Sequence, residues 1–185
     1  LLAAQSLRCI SRRSILDISH LGLLSQFIDG LGIRREETDR LLQYIGEKNL
    51  HELSAACHTA GIAPEDMDTL TQLVTLSGTA RDVLPRMEQL LRGRVDAGML
   101  DGFVRILSSL TDSEMGEMLR IDFSVVDDIH YYNGIVFRGF LYGLPSGILS
   151  GGQYDYLMQK MGKSGGAIGF AVYPDLLESL SMPQK

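Results

Sequence analysis

The residues in this chain best equipped to hold a small polar molecule are tyrosines and glycines in its last third. Tyr131 and Tyr132 stand side by side in Asp128-Ile-His-Tyr-Tyr-Asn-Gly134, and Gly151, Gly152 and Tyr154 follow in Leu149-Ser-Gly-Gly-Gln-Tyr-Asp155. A phenol can donate and accept a hydrogen bond, and a residue without Cβ lets a backbone approach a ligand closely. In a strand, neighbouring Tyr131 and Tyr132 face opposite sides, so only one belongs to a given pocket; both equally suit half-buried sheet aromatics. The Gly151-Gly152 pair lacks the G-x-G-x-x-G spacing of a dinucleotide fingerprint and the G-K-[ST] ending of a phosphate loop, and Gly165-Gly166 is no more specific. Nucleotide binding gains no support, and no cofactor is expected. The histidines, His20, His51, His58 and His130, show no i, i+4 pair with an intervening Glu, so no metal site is expected. His130 is the one histidine retained as a ligand contact, against the alternative of a structural imidazole.

Composition bounds what such a site serves. A chain of 185 residues with 45% apolar and 22% charged residues folds into one domain, or one domain with a small appended unit. The net charge of −6 argues against a protein that grips phosphate backbones. Arg34-Arg35 and Arg92 with Arg94 are the nearest approach to a basic patch, and acids beside them make solvated helix ends the expected reading. Cys9 and Cys57 lack metal-knuckle spacing and no signal peptide precedes them, so buried thiols in a reducing cytoplasm are expected. No apolar run reaches the roughly 20 residues needed to span a membrane. The start, Leu1-Leu-Ala-Ala-Gln-Ser-Leu, has no initiator Met or capping residue and reads as a chain already under way.

The elements that must position the tyrosines are legible from periodicity. A helix over 1–10 feeds a strand at 14–19 and a short helix over 20–30 ending on glycine. Residues 34–110 read as several short amphipathic helices, broken at Gly46, Gly61-Ile-Ala-Pro64, Ser77-Gly78 and Gly93, with Met99 to Leu110 returning the chain to the sheet. Arg120–Val126 and Ile135–Tyr142 are strand candidates, joined as an antiparallel hairpin through Tyr-Tyr-Asn-Gly. A short strand at 147–150, a helix at 154–161, a strand at 167–172 and a last helix from Pro174 complete an α+β fold, an antiparallel sheet with flanking helices.

Together, Tyr-Tyr-x-Gly-x-Val-Phe at 131–137, Gly-Gly-x-Tyr-Asp at 151–155 and Gly-Phe-Ala at 169–171 resemble the histidyl-tRNA synthetase branch of the class II aminoacyl-tRNA synthetase fold. The resemblance covers almost the whole chain. It implies a first part of a synthetase-like core at 1–33, an inserted helical module at 34–110 and a C-terminal part of the core at 111–185. It also implies cations that are missing here. Asp127 and Asp128 occupy the place of an Arg-Gly ahead of the tyrosines, Gln153 that of an Arg beside Tyr154, and Leu176 that of an Arg over ATP. An acid, an amide and an alkyl group cannot replace guanidinium groups facing carboxylate and phosphate oxygens.

This pattern resembles the regulatory subunits of ATP phosphoribosyltransferase, paralogues of the synthetase that have given up tRNA charging. The resemblance implies a non-catalytic cytoplasmic protein of histidine biosynthesis, partnered with the short-form catalytic subunit and forming homo- and hetero-oligomers when complete. Histidine would be its effector, with no nucleic acid or membrane as partner. The chain ends at Lys185, where a synthetase would continue into an anticodon-binding domain. By position, Tyr132 and Tyr154 line the histidine pocket and Gly151 and Gly152 provide its close-approach backbone; Tyr131 is the weaker histidine-binding candidate, because in a strand it would face the other way. The alternatives are a divergent or truncated histidyl-tRNA synthetase and a synthetase-derived interaction domain.

Overall fold

The computed structural model describes residues 1–126 and 131–177. Helix α1 (Leu2–Ile10) leads to strand β1 (Ser14–His20) and helix α2 (Leu21–Gly30). Then come α3 (Arg35–Gly46), α4 (Leu50–Thr59), α5 (Pro64–Thr75), α6 (Ala80–Leu91) and α7 (Ala97–Thr111). Strands β2 (Leu119–Ile121), β3 (Ile135–Leu141) and β4 (Leu149–Gln153), helix α8 (Asp155–Lys160) and strand β5 (Ile168–Val172) follow.

Helices α3 to α7 begin where the sequence can satisfy or dispense with a free amide. Oδ1 of Asn49 accepts from the N–H of Glu52 at 3.2 Å, Oγ1 of Thr79 from Asp82 at 3.2 Å, and Oδ1 of Asp96 from Met99 at 2.8 Å. At α3 the Glu37 carboxylate reaches back to the N–H of Arg34 at 2.9 Å, and Pro64 opens α5 without an amide hydrogen. The inward stripes, including Leu41, Ile45, Leu70 and Met87, are fully buried and share one apolar core with Leu7, Phe103 and Phe123.

The sheet has the order β2-β1-β3-β4-β5. β1 pairs with β2 in parallel, and the remaining pairs are antiparallel. The sheet is therefore mixed, which corrects the expectation of an antiparallel sheet with a hairpin between the strands at 120–126 and 135–142. The cause lies at Asp122, whose Oδ1 accepts from the N–H and hydroxyl of Ser124 at 2.9 and 2.7 Å and turns the chain off the sheet after Ile121. β1 then lies between β2 and β3, and the helices between β1 and β2 supply the long crossover that parallel pairing requires.

Side-chain alternation gives the sheet two unlike faces. Leu16, Ile18, Leu119, Ile121 and Leu149 are buried on the closed face, which also carries Phe137 and is covered by α1 and by Phe103 and Leu107 of α7. Leu7 of α1 sits so close that a Cβ on Gly139 would lie 2.5 Å from its Cδ1. The opposite, open face carries a rung of paired residues across the five strands: Arg120, Asp17, Arg138, Ser150 and Ala171. Cys57 is buried, but Cys9 is exposed at the end of α1, so only one of the two thiols is sequestered as expected. Among the described residues no helix is long and apolar enough to cross a membrane.

Candidate functional site

On the open face, Gly152 of β4 pairs with Gly169 of β5, placing two residues without Cβ side by side. Tyr132 lies over the first: a Cβ on Gly152 would be 2.7 Å from its Cδ1. Tyr154 lies over the second: a Cβ on Gly169 would be 3.2 Å from its hydroxyl oxygen. The ring of Tyr131 meets Tyr132 edge-on with centroids 4.7 Å apart and stands 5.5 Å from Tyr154. Three tyrosine rings thus gather at a floor of paired glycines. Tyr131 and Tyr132 precede β3 rather than belonging to it, so the alternation that would turn Tyr131 away does not operate.

Gly151 has the opposite parity. It pairs with Phe137 and Phe170, whose rings are 6.3 Å apart on the closed face, and a Cβ there would meet Cβ of Phe170 at 2.5 Å. Gly152 provides the close approach at the tyrosines, while Gly151 still helps to line the open-face cavity.

A polar clasp holds this arrangement. Asn133 donates its N–H to the carbonyl of Gln153 at 3.0 Å, and its Oδ1 accepts from the N–H of Asp155 at 2.9 Å. The Asp155 carboxylate accepts from the N–H of Ala167 at 2.8 Å and from the side-chain amide of Gln153 at 2.5 Å. Tyr154 donates its N–H to the carbonyl of Ala167 at 2.9 Å. Gln153 therefore works within the clasp, tying the strand end to α8.

A cavity of about 620 Å³ extends along the strands from Tyr132 and Val136 to Phe140 and Tyr173, with Arg138 and Ser150 between. The hydroxyls of Ser150 and Tyr173 are 2.7 Å apart. On the same rung, burial pushes the Asp17 carboxyl up to about 6; Asp122 adds to the rise, while Lys48, Arg120 and Arg138 oppose it. Nζ of Lys48 is 2.7 Å from Oδ2 of Asp122, tying the turn between α3 and α4 to the end of β2.

His20 is a structural group. Its Nδ1 accepts from the N–H of Leu23 at 3.2 Å as the cap of α2, and its ring lies edge-on to Phe103 at 5.0 Å. Burial lowers its pKa to about 4, so the imidazole is neutral at pH 7. His51 and His58 are exposed on α4. Asp127, Asp128 and His130 lie outside the described residues, and Leu176 lies in the helical turn that follows Pro174. No group of three or more His, Cys, Asp or Glu among the described residues is arranged to hold a metal ion. Three of the four arginines that suggested a basic patch engage acids: Arg34 with Glu37, Arg92 with Glu88 and Asp101, and Arg94 with Asp66.

Sequence reasoning missed Gly169, Arg138, Ser150 and Tyr173 as site residues. Gly169 had a signal in Gly-Phe-Ala, whereas the others meet only through strand register.

Residues 1–177 match the histidyl-tRNA synthetase family. The ATP phosphoribosyltransferase regulatory subunit of Acetivibrio thermocellus is 29% identical over 157 residues, or 85% of this chain and 37% of that protein. The solved structure of an ATP phosphoribosyltransferase regulatory subunit/histidyl-tRNA synthetase from Bacillus halodurans has a TM-score of 0.80 at 25% identity, covering 96% of this chain and 50% of that one. A chain of the ATP phosphoribosyl transferase complex from Thermotoga maritima shares the fold, with a TM-score of 0.64 at 18% identity over 86% of this chain and 53% of that one. The chain thus spans between 37% and 53% of the length of these relatives.

Proposed function

The chain belongs to the histidyl-tRNA synthetase family, and from that premise we propose that it is part of a regulatory subunit of ATP phosphoribosyltransferase. In this reading the complete protein joins the short-form catalytic subunit in the cytoplasm, supports the first step of histidine biosynthesis and conveys feedback by histidine. It performs no catalysis itself. Residues 1–33 and 111–185 belong to the synthetase-like core, and residues 34–110 are the module inserted between them.

The observation that carries this reading is the tyrosine and glycine site, where the side-chain amide of Gln153 is bound to Asp155. Tyrosine hydroxyls can satisfy the nitrogens of an imidazole, and Gly152 and Gly169 let the Tyr132 and Tyr154 side chains lie close over the strands. Tyr131, Tyr132, Tyr154, Gly151 and Gly152 are the histidine-binding residues in this reading. Adenylate formation, by contrast, needs cations aimed at carboxylate and phosphate oxygens. Neither Gln153 nor Leu176 supplies one. The name of the Acetivibrio thermocellus relative points the same way.

The test is to mix the complete protein with the short catalytic subunit. A stable complex whose phosphoribosyl transfer exceeds that of the catalytic subunit alone and falls on adding L-histidine is expected. No complex and no change in transfer would overturn the reading.

A further inference from the structure

The turn between α3 and α4 makes a contact far outside its own helices. Lys48 adopts a left-handed backbone conformation there, with φ of 52°, at a helix exit that favours glycine. Its N–H donates to the carbonyl of Ile45 at 3.0 Å, and that of Asn49 to the carbonyl of Tyr44 at 2.9 Å, which closes α3. A glycine would close the same turn without strain but would bring no ammonium group. Nζ of Lys48 meets Oδ2 of Asp122 at 2.7 Å, 74 residues further along the chain.

Asp122 opens a short segment, 122–126, that is held at both flanks. Its N–H donates to the carbonyl of Ile18 at 3.0 Å, and the N–H groups of Val125 and Val126 donate to the carbonyls of Asp122 and Ser124 at 3.2 and 2.9 Å. On the flank toward the helices, a Cβ on Gly46 would lie 2.7 Å from Cγ2 of Val126, so the backbone at the end of α3 abuts that side chain. On the other flank, Val125 is buried with Leu21 and Val136, and both Val126 and Tyr132 pack against this cluster. Tyr132 in turn covers Gly152. The segment therefore has the inserted helices on one side and a site tyrosine on the other.

The ion pair steadies this segment. The Asp122 side chain is only 12% exposed. Burial, and then the charge of Asp122, raise the pKa of Asp17 on the neighbouring strand. Removing the Lys48 ammonium leaves these two carboxylates with one cation fewer, so the segment relaxes toward water at a small cost in stability. The helices stay attached meanwhile, because the N–H of Asp96 donates to Oε1 of Gln26 at 2.9 Å and the Arg94 guanidinium lies over the ring of Phe27, both on α2.

We propose that Lys48 and Gly46 act through segment 122–126 to position Tyr132, so that the inserted helices set the shape of the tyrosine site. Lys48 is a positioning residue and touches no ligand. The inference rests on the histidine-binding reading above and adds to it the part of the molecule from which the site is tightened or loosened. The effect is mutual: histidine bound at Tyr132 strengthens the Lys48–Asp122 pair by the same factor that the pair strengthens histidine binding.

The test labels the complete protein with fluorotyrosine, assigns the Tyr132 fluorine resonance by its loss in Tyr132→Phe, and measures L-histidine affinity by calorimetry. Lys48→Met should move the Tyr132 resonance without ligand and weaken L-histidine at least about 3-fold, a coupling of the size carried by packed neighbours. Lys48→Arg keeps a cation within reach of Asp122 and should recover most of both. Gly46→Ala presses on Val126 and should move the same resonance. Arg94→Met breaks a tie of the same helices to α2 and measures general loosening; it should leave the resonance in place and change affinity by less than about 2-fold. An unmoved Tyr132 resonance or an unaltered affinity in Lys48→Met, or equal effects from Arg94→Met, would overturn the positioning role and leave histidine binding intact. A native protein that binds no L-histidine would overturn the histidine reading itself, and the Tyr132 resonance alone would then decide whether the helices position that ring.

Discussion

The two faces of the sheet arise from the same strands, one residue out of phase, and have opposite fates. On the closed face, Leu16, Ile18 and Leu149 are sealed beneath helices, and Gly139 exists to admit Leu7. On the open face, Asp17, Arg138 and Ser150 lie on one rung, and Gly152 and Gly169 form a floor for tyrosines. The contrast teaches that alternation alone can give one strand a sealed apolar face and an accessible polar one. Gly151 and Gly152 show this at adjacent positions, the first making room for Phe170 and the second for Tyr132.

The sharpest way to break the comparison is to damage one face and look for a response on the other. Phe103→Ala removes a ring that is 1% exposed on the closed face and should cost about 3–5 kcal/mol in chemical denaturation. L-Histidine affinity of the surviving folded fraction should be unchanged.

Acid titration separates the faces next. The folded pKa of His20 lies near 4, below the ordinary imidazole value of 6.5, so the stability it contributes is present above about 6.5 and is lost as pH falls toward 4. The loss should approach about 3 kcal/mol. Asp17 has the reverse sign. Its folded pKa is raised from 3.8 to about 6, so its contribution is present below 3.8 and is lost as pH rises through 6. The two effects oppose one another over much of the same window. Asp17→Asn should therefore raise stability at pH 7 and make its decline between pH 6.5 and 4 steeper than in the native protein, as read from denaturation midpoints. An unchanged slope would show that Asp17 is solvated.

Smaller effects on stability are expected from the open face itself. Gly152→Ala should displace the Tyr132 ring, lowering stability by about 1 kcal/mol, at the lower end for overpacking, while weakening L-histidine by roughly 10-fold. Lys48→Met breaks the pair with Asp122, where the lysine side chain is 50% exposed, and should cost no more than about 1 kcal/mol, less at high salt.

Much of this architecture was legible in the sequence because it is written in local periodicity. The stripes of Leu41, Ile45, Leu70, Leu73 and Met87 mark α3, α5 and α6 directly, and Asn49, Thr79 and Asp96 act where a capping residue would. Strand pairing was not legible in the same way. Arg120 to Val126 has the composition of a strand, but Asp122 and Ser124 bond to each other and cut it short. For the candidate site, Tyr132, Tyr154, Gly151 and Gly152 stand out from motifs, whereas strand alternation ranks Tyr131 lower than its place beside Tyr132 and ahead of β3 warrants. Arg138, Ser150 and Tyr173 are far apart in sequence and unremarked by any motif. Their meeting depends on the register of three strands, which one sequence does not disclose.

The most direct test of a sensor built on a synthetase fold is histidine-dependent exchange of pyrophosphate with ATP, run on complete protein already shown to bind L-histidine. Binding with no exchange above the blank is the expected result. Exchange that depends on histidine and is abolished by Gly152→Ala would contradict it and establish a catalyst in place of the sensor.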